Sequence, residues 1–357
     1  MTLRDSLSTR NNALNFVRLV LAGLVIASHT WPIGGFGPDP RLGGLTLGSW
    51  AVAGFFAISG YLVTGSRMNL SLRDYAVRRG LRIYPGLWVC LVVVAFVFAP
   101  LAALRAGVPF ELSSAVHFAW SNSSAVLSQM RIGGELARLP YANVWNGSLW
   151  TLQVELGCYL LMGLALCSTW ARRHLTWTAA GSLLVLTTFN VVNAQWGYGG
   201  LVVDSLKLAS YFAAGSLLWS VGDRIRVNGW WVAGSVFALA SCTALSVVGQ
   251  WGVVPLAYLV LAFGAWCPVR WGVHRDLSYG VYIYAFPVQQ VLAMTGVQRF
   301  GPAPFMVAAL ALVLPLAWVS WTLVERPAVR LVPRGPRVAP QGDRLRRFRP
   351  TAHVTIE

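Results

Sequence analysis

The stretch LNFVRLVLAGLVIASHTW, residues 14–31, is apolar throughout apart from Asn15, Arg18, Ser28, His29 and Thr30. At 1.5 Å per residue, a helix of that length nearly covers the roughly 30 Å hydrocarbon core of a bilayer. Working outward from it, runs of the same character predict spans at 14–33, 50–66, 83–104, 148–168, 175–195, 205–220, 229–247, 252–267, 276–296 and 303–324. Composition agrees, with 56% hydrophobic and 11% charged residues against the roughly 25% charged of a soluble domain. The expected fold is an all-α integral membrane protein with about ten transmembrane helices. The first run lacks an early cleavage site and is followed by many more, so it is expected to stay as a helix. Segment 113–129 is only moderately apolar and rich in Ser and Asn, which suits an interfacial element within a long loop.

Basic residues orient the chain, because cytoplasmic loops retain Lys and Arg. With ten spans and the start inside, the inner segments carry 21 Arg and the outer ones five: Arg41, Arg105, Arg131, Arg138 and Arg299. Both termini are therefore expected in the cytoplasm. Three regions follow: a cytoplasmic segment 1–13, a ten-helix domain 14–327, and a basic, disordered cytoplasmic tail 328–357 suited to anionic lipid. The net charge of +16 is accounted for by this topology, and no basic stripe with interleaved aromatics points to nucleic acid. The five cysteines sit mostly in apolar runs without metal-like spacing, so packing is their expected role and no metal site is expected.

Some residues cost too much in a membrane to be filler. Arg18 and His29 are eleven residues apart, which returns to within about 20° of one helical face and rises roughly 16 Å. Intramembrane ionisable groups of this kind usually face a polar cavity and mark function. Glu155, in NVWNGSLWTLQVELGCYLL, is the only carboxylate deep within the expected spans, with Ser148 seven residues earlier on its face. A buried carboxylate must be paired, hydrated or neutral; Arg18, His29 or a polar pore are its candidate partners.

The loop RMNLSLRDYAVRRGLRIYP sets Arg78 and Arg82 four residues apart and Arg79 and Arg82 three apart. Such guanidinium forks match phosphate oxygens, although the positive-inside rule alone would place the same charges there. Ser59 and Gly60 in FFAISGYLVTGS are read as small residues that let helices approach closely. GxSxG, HExxH and Walker-type motifs are absent, which excludes an elbow hydrolase, a zincin and a P-loop ATPase. His117, His174, His274 and His353 fall in loops or termini without ligand-like neighbours.

Taken in order, LNFVRLVLAGLVIASH, FFAISGYL, RRGLRIYPGLW, NGSLWTLQVELGCYLL, LSYGVYIYAFPV and WTLVERP resemble the acyltransferase-3 family over about residues 11 to 330. These are bacterial membrane O-acyltransferases that modify surface sugars and some secondary metabolites. The resemblance implies a ten-helix bundle with both termini inside, in the inner (plasma) membrane. It implies transfer of an acyl group, most often acetyl from acetyl-CoA, to a carbohydrate hydroxyl. Carried onto this chain, the catalytic positions are Arg18, His29 and Glu155. Acyl-CoA would be met at Arg78, Arg79, Arg82 and Tyr84, and Asn146, Ser148, Trp150 and Tyr282 would line the site. Asn15 stands where relatives often have Asp, and Ala285 where many have a His before Phe-Pro, so no second catalytic His is expected there.

The chemistry expected is direct transfer in a polar channel, with the thioester entering from inside and the acceptor hydroxyl approaching His29 from outside. Imidazole titrates near neutrality and suits removal of that proton. Glu155 would orient the ring or stabilise the imidazolium as it forms, and Arg18 would steady the pantetheine or thioester end or hold Glu155. The rival class is a transporter or flippase of a lipid-linked sugar, in which Arg18, His29 and Glu155 would relay protons. Against that stands the lack of paired short Gly- or Pro-broken segments in two halves.

Overall fold

The computed structural model describes residues 1–8, 12–269 and 275–331. Residues 332–357 of the expected tail, together with His274 and His353, lie outside the described residues.

After a short α1 (Leu3–Ser8), the long apolar helices α2 (Leu14–Gly34) and α3 (Leu47–Asn69) are joined by a tiny hairpin, β1 (Arg41–Leu42) and β2 (Leu45–Thr46). Gly43 and Gly44 turn that hairpin with positive φ, 58° and 85°, the geometry of a tight two-residue hairpin loop. Then come α4 (Leu72–Val93), which passes through a π turn at Val94–Phe98 into α5 (Ala99–Ala106), and α6 (Leu112–Ser121). The middle of the chain forms α7 (Leu149–Ala165), α8 (Thr169–Arg173), α9 (Leu175–Trp196), α10 (Leu201–Ser220), α11 (Gly229–Ala244), α12 (Val248–Trp251) and α13 (Val253–Trp266). Last are α14 (Ser278–Met294) and α15 (Pro302–Ser320), which continues through a π turn at Trp321–Glu325 into α16 (Arg326–Arg330).

The protein is thus an all-α membrane protein. Among the described residues six helical stretches are long and apolar enough to cross a bilayer: Leu14–Gly34, Leu47–Asn69, Leu72–Ala106, Leu175–Trp196, Leu201–Ser220 and Pro302–Arg330. The other four expected runs also fall on helices: α7, α11 and α13, which are shorter and apolar, and α14, which has 17 residues. α11 fully buries none of its residues and exposes Trp230, Trp231, Val236 and Phe237, apolar side chains suited to lipid.

One boundary is corrected. The expected loop at 67–82 is helical except for a two-residue link, because α3 runs to Asn69 and α4 starts at Leu72. Ser71 caps α4 by accepting from the Asp74 amide at 3.1 Å, a side chain satisfying a backbone donor that has no partner within the helix. Arg78, Arg79 and Arg82 therefore lie well inside a helix.

The close approach expected at Gly60 is present. A Cβ on Gly60 would stand 2.0 Å from the Phe212 carbonyl oxygen, and one on Gly215 would stand 2.1 Å from that of Ala57. α3 and α10 thus meet backbone to backbone, as small residues permit in membranes. The segment expected as interfacial begins as α6, which packs back along α4 and the Val94–Phe98 turn. Trp88 Nε1 donates to the Ser123 carbonyl at 2.9 Å there.

Candidate active site

Helices α2, α3, α7, α10 and α14 line a shaft made of two adjoining cavities. The first, of about 370 Å³, is bordered by His29, Ser148, Trp150, Asp204 and Lys207, with the 41–46 hairpin at its rim. The second is small, about 40 Å³, and is bordered by Arg18, Phe55, Glu155 and Ser278. Val52, Thr151 and Tyr282 border both. His29 and Arg18 thus occupy successive cavities along one shaft, as a shared helical stripe requires.

His29 is wedged by Phe286, whose ring meets it edge-on at 5.3 Å between centroids. Its Nδ1 is buried and, among the described residues, has no hydrogen-bonding partner; Ser148 Oγ and Asn146 Oδ1 are in the same condition. Asn146 is anchored through Nδ2, which donates to the Ile283 carbonyl at 2.8 Å. Buried polar atoms are normally satisfied, and two of these, on His29 and Ser148, belong to residues that border the large cavity. Asp39, steadied by Ser28 Oγ at 2.6 Å, lines the same cavity as His29. Sequence reasoning did not single out Asp39, and only its place just after the first long helix could have signalled it.

Of the partners expected for Glu155, a cavity is present and neither Arg18 nor His29 bonds the carboxylate. Its Oε1 accepts from Ser59 Oγ at 2.7 Å and from the Tyr159 hydroxyl at 2.5 Å. The carboxylate lines the cavity that His29 does not. In this arrangement it orients Ser59 and Tyr159 rather than the imidazole. Arg18 pairs with Asp276 instead of Glu155.

Nor does Glu155 stand alone as a buried carboxylate. Asp276 accepts from both Arg18 and Arg82, and Glu325 accepts from Arg82 at 3.3 Å. Glu325 is 1% exposed. Two guanidiniums and two carboxyl groups are thereby gathered beside the small cavity, which Arg18 borders. Burial would raise the pKa of Asp276, which precedes α14, but the charges of Arg18 and Arg82 hold it down to about 2. Both residues were legible in principle: Glu325 falls one residue past the last expected span, inside the WTLVERP motif. The π turn at Trp321–Glu325 carries it, and such turns recur at functional sites.

Of the expected donor-binding residues, Arg82 has both terminal nitrogens engaged by Asp276 and Glu325. Arg78 and Arg79 each keep a buried Nε without a partner among the described residues. Arg79 also lies over the Tyr159 ring at 5.7 Å, which links it to Glu155 through that tyrosine's hydroxyl. Tyr84 packs on Trp88, and its hydroxyl donates to the Ser124 carbonyl at 3.4 Å.

A buried imidazole, a carboxylate and an arginine around two adjoining cavities are parts suited to proton and group transfer. The pattern described as "Acyltransferase domain" matches residues 11–322, and the chain belongs to that family. It is an acyltransferase. It is similar to an O-acetyl transferase of Shigella phage Sf6, with 31% identity over 89% of this chain and 96% of that protein. It is also similar to Nodulation protein 10 of Rhizobium leguminosarum bv. viciae, with 30% identity over 91% of this chain and 95% of that one. No solved structure matches.

Proposed function

We propose that the chain is a ten-span O-acyltransferase of the bacterial inner (plasma) membrane, with both termini in the cytoplasm. It moves an acyl group, acetyl above all, from acyl-CoA to a hydroxyl of a carbohydrate or glycosylated acceptor. The observation that carries the reading is the pair of cavities meeting at Val52, Thr151 and Tyr282. Residues bordering the larger cavity come from segments that the ten-span count assigns outside, among them the hairpin and the starts of α7 and α10. The acceptor enters there, and His29 takes its proton. The thioester comes from the other end, where Arg18 and Glu155 border the small cavity. The guanidinium forks of Arg78 and Arg79 suit the phosphates of CoA, whereas Arg82 holds Asp276 and Glu325 in place.

The test is mass spectrometry of surface glycans and secreted metabolites with and without the gene, alongside release of CoA from acetyl-CoA by the purified protein. A gain of one acetyl mass on one glycan and gene-dependent CoA release are expected. Unchanged glycans and metabolites together with no CoA release would contradict the reading.

A further inference from the structure

We infer that the Tyr282 hydroxyl, held by Thr151, is the hydrogen-bond donor for the oxyanion formed during acyl transfer. The inference rests on the proposed function and assigns a role at the junction of the two cavities.

Three helices give the junction the same depth. On α14, Tyr282 lies one turn from Phe286, which packs on His29, and one turn from Ser278, which borders the small cavity. On α7, Thr151 lies three residues after Ser148 of the large cavity and four before Glu155 of the small one. On α2, Val25 borders the large cavity and Arg18 the small one. An acceptor oxygen activated by His29 and a thioester sulfur on the Arg18 side can share one carbonyl carbon only between them, which is at this junction.

The hydrogen bonds there suit an oxyanion. Thr151 Oγ1 and the Tyr282 hydroxyl are 2.5 Å apart, and each also reaches the Ser148 carbonyl, at 3.1 and 3.2 Å. Two hydroxyls hold two protons. One proton joins the pair, and the other is shared with a carbonyl that two donors reach. The second proton can turn to an incoming carbonyl oxygen while the first keeps both groups in place. Phe55 meets the Tyr282 ring edge-on at 5.8 Å and fixes its position. Donors held in advance where negative charge develops are what lowers such a barrier.

The step balances without another reactant. The acceptor oxygen attacks the carbonyl carbon as His29 takes its proton, and the π pair moves onto the carbonyl oxygen, which accepts from Tyr282. Collapse restores the carbonyl and breaks the carbon–sulfur bond. The proton held by His29 passes to the sulfur, so an ester and CoA thiol leave.

The experiment compares Tyr282→Phe, Thr151→Val and Thr151→Ser with the parent protein, purified in detergent. It uses acetyl-CoA as donor and cell-envelope glycan from a gene-deletion strain as acceptor, reading acetyl-CoA affinity and the CoA thiol released. Tyr282→Phe should bind acetyl-CoA within about twofold of the parent but release CoA about 10²-fold more slowly. Thr151→Val should lose rate in the same sense, whereas Thr151→Ser, which keeps the hydroxyl, should retain most of it. A Tyr282→Phe rate equal to the parent's would overturn the assignment, and a faster one would show that the pair only separates the cavities. A parent protein that neither binds nor cleaves acetyl-CoA would instead remove the proposed function, and this inference with it.

Discussion

Arg18 and Asp276, 258 residues apart in sequence, form an ion pair that ties the first long helix to the start of α14. Arg82 grips the same carboxylate from α4. Breaking a buried pair by removing one partner leaves an uncompensated charge and costs roughly 3–5 kcal/mol. Asp276→Asn should therefore lower the thermal unfolding midpoint in detergent, and Arg18→Met added to it should restore part of the loss. Additive effects in that double-mutant cycle would show that the pair has no coupling energy.

The same carboxylate sets an acid limit. Its pKa falls on folding from 3.8 to about 2, so the stabilisation is fully present above the unfolded value and is lost as pH drops through the folded one. The stability gap between the parent and Asp276→Asn should hold at pH 5 and narrow between about pH 4 and 2. A gap unchanged at pH 2 would refute the assignment of charge to Asp276.

Two different outcomes are expected for the arginines of α4. Lysine at positions 78 and 79 keeps the charge but not the fork, so the double variant should fold normally and need about tenfold more acetyl-CoA for half-maximal rate. Arg82→Lys should chiefly lower stability, because its two terminal nitrogens bond Asp276 and Glu325. Titration of acetyl-CoA against rate, with melting curves on the same samples, separates the two. An unchanged acetyl-CoA requirement in the 78/79 variant would reduce those arginines to a topology signal.

Single cysteines at Gly37, Gly134 and Asp223 test the orientation in a chain whose native cysteines are replaced. An impermeant maleimide added to intact cells should label positions 37 and 134 and spare 223. Labelling of 223 alone would invert the orientation.

The first helix was readable because Arg18 and His29 are costly in an apolar run, and their spacing alone puts them on one face. The helical stretches were readable for the same reason: each apolar run is long enough to show. Pairing was not readable. Asp276 and Glu325 sit at span ends, where a carboxylate looks like an ordinary boundary residue, and only tertiary packing brings them to Arg82. Glu155 was found as a costly residue, but its partners, Ser59 on another helix and Tyr159 one turn away, are the kind of neutral hydroxyls that sequence does not flag. Helix α4 began early because a Ser71 cap and a polar first turn extend it past the apolar segment.

In the proposed reaction His29 takes the acceptor's proton. His29→Gln keeps the size and some hydrogen bonding of the side chain but cannot become a cation near neutral pH. The variant should be purified and assayed for CoA release with acetyl-CoA and the acceptor, with its acetyl-CoA affinity measured on the same sample. Affinity should be unchanged and turnover lower by at least about 10², the usual contribution of general acid–base catalysis. Near-parent turnover by well-folded His29→Gln would contradict it.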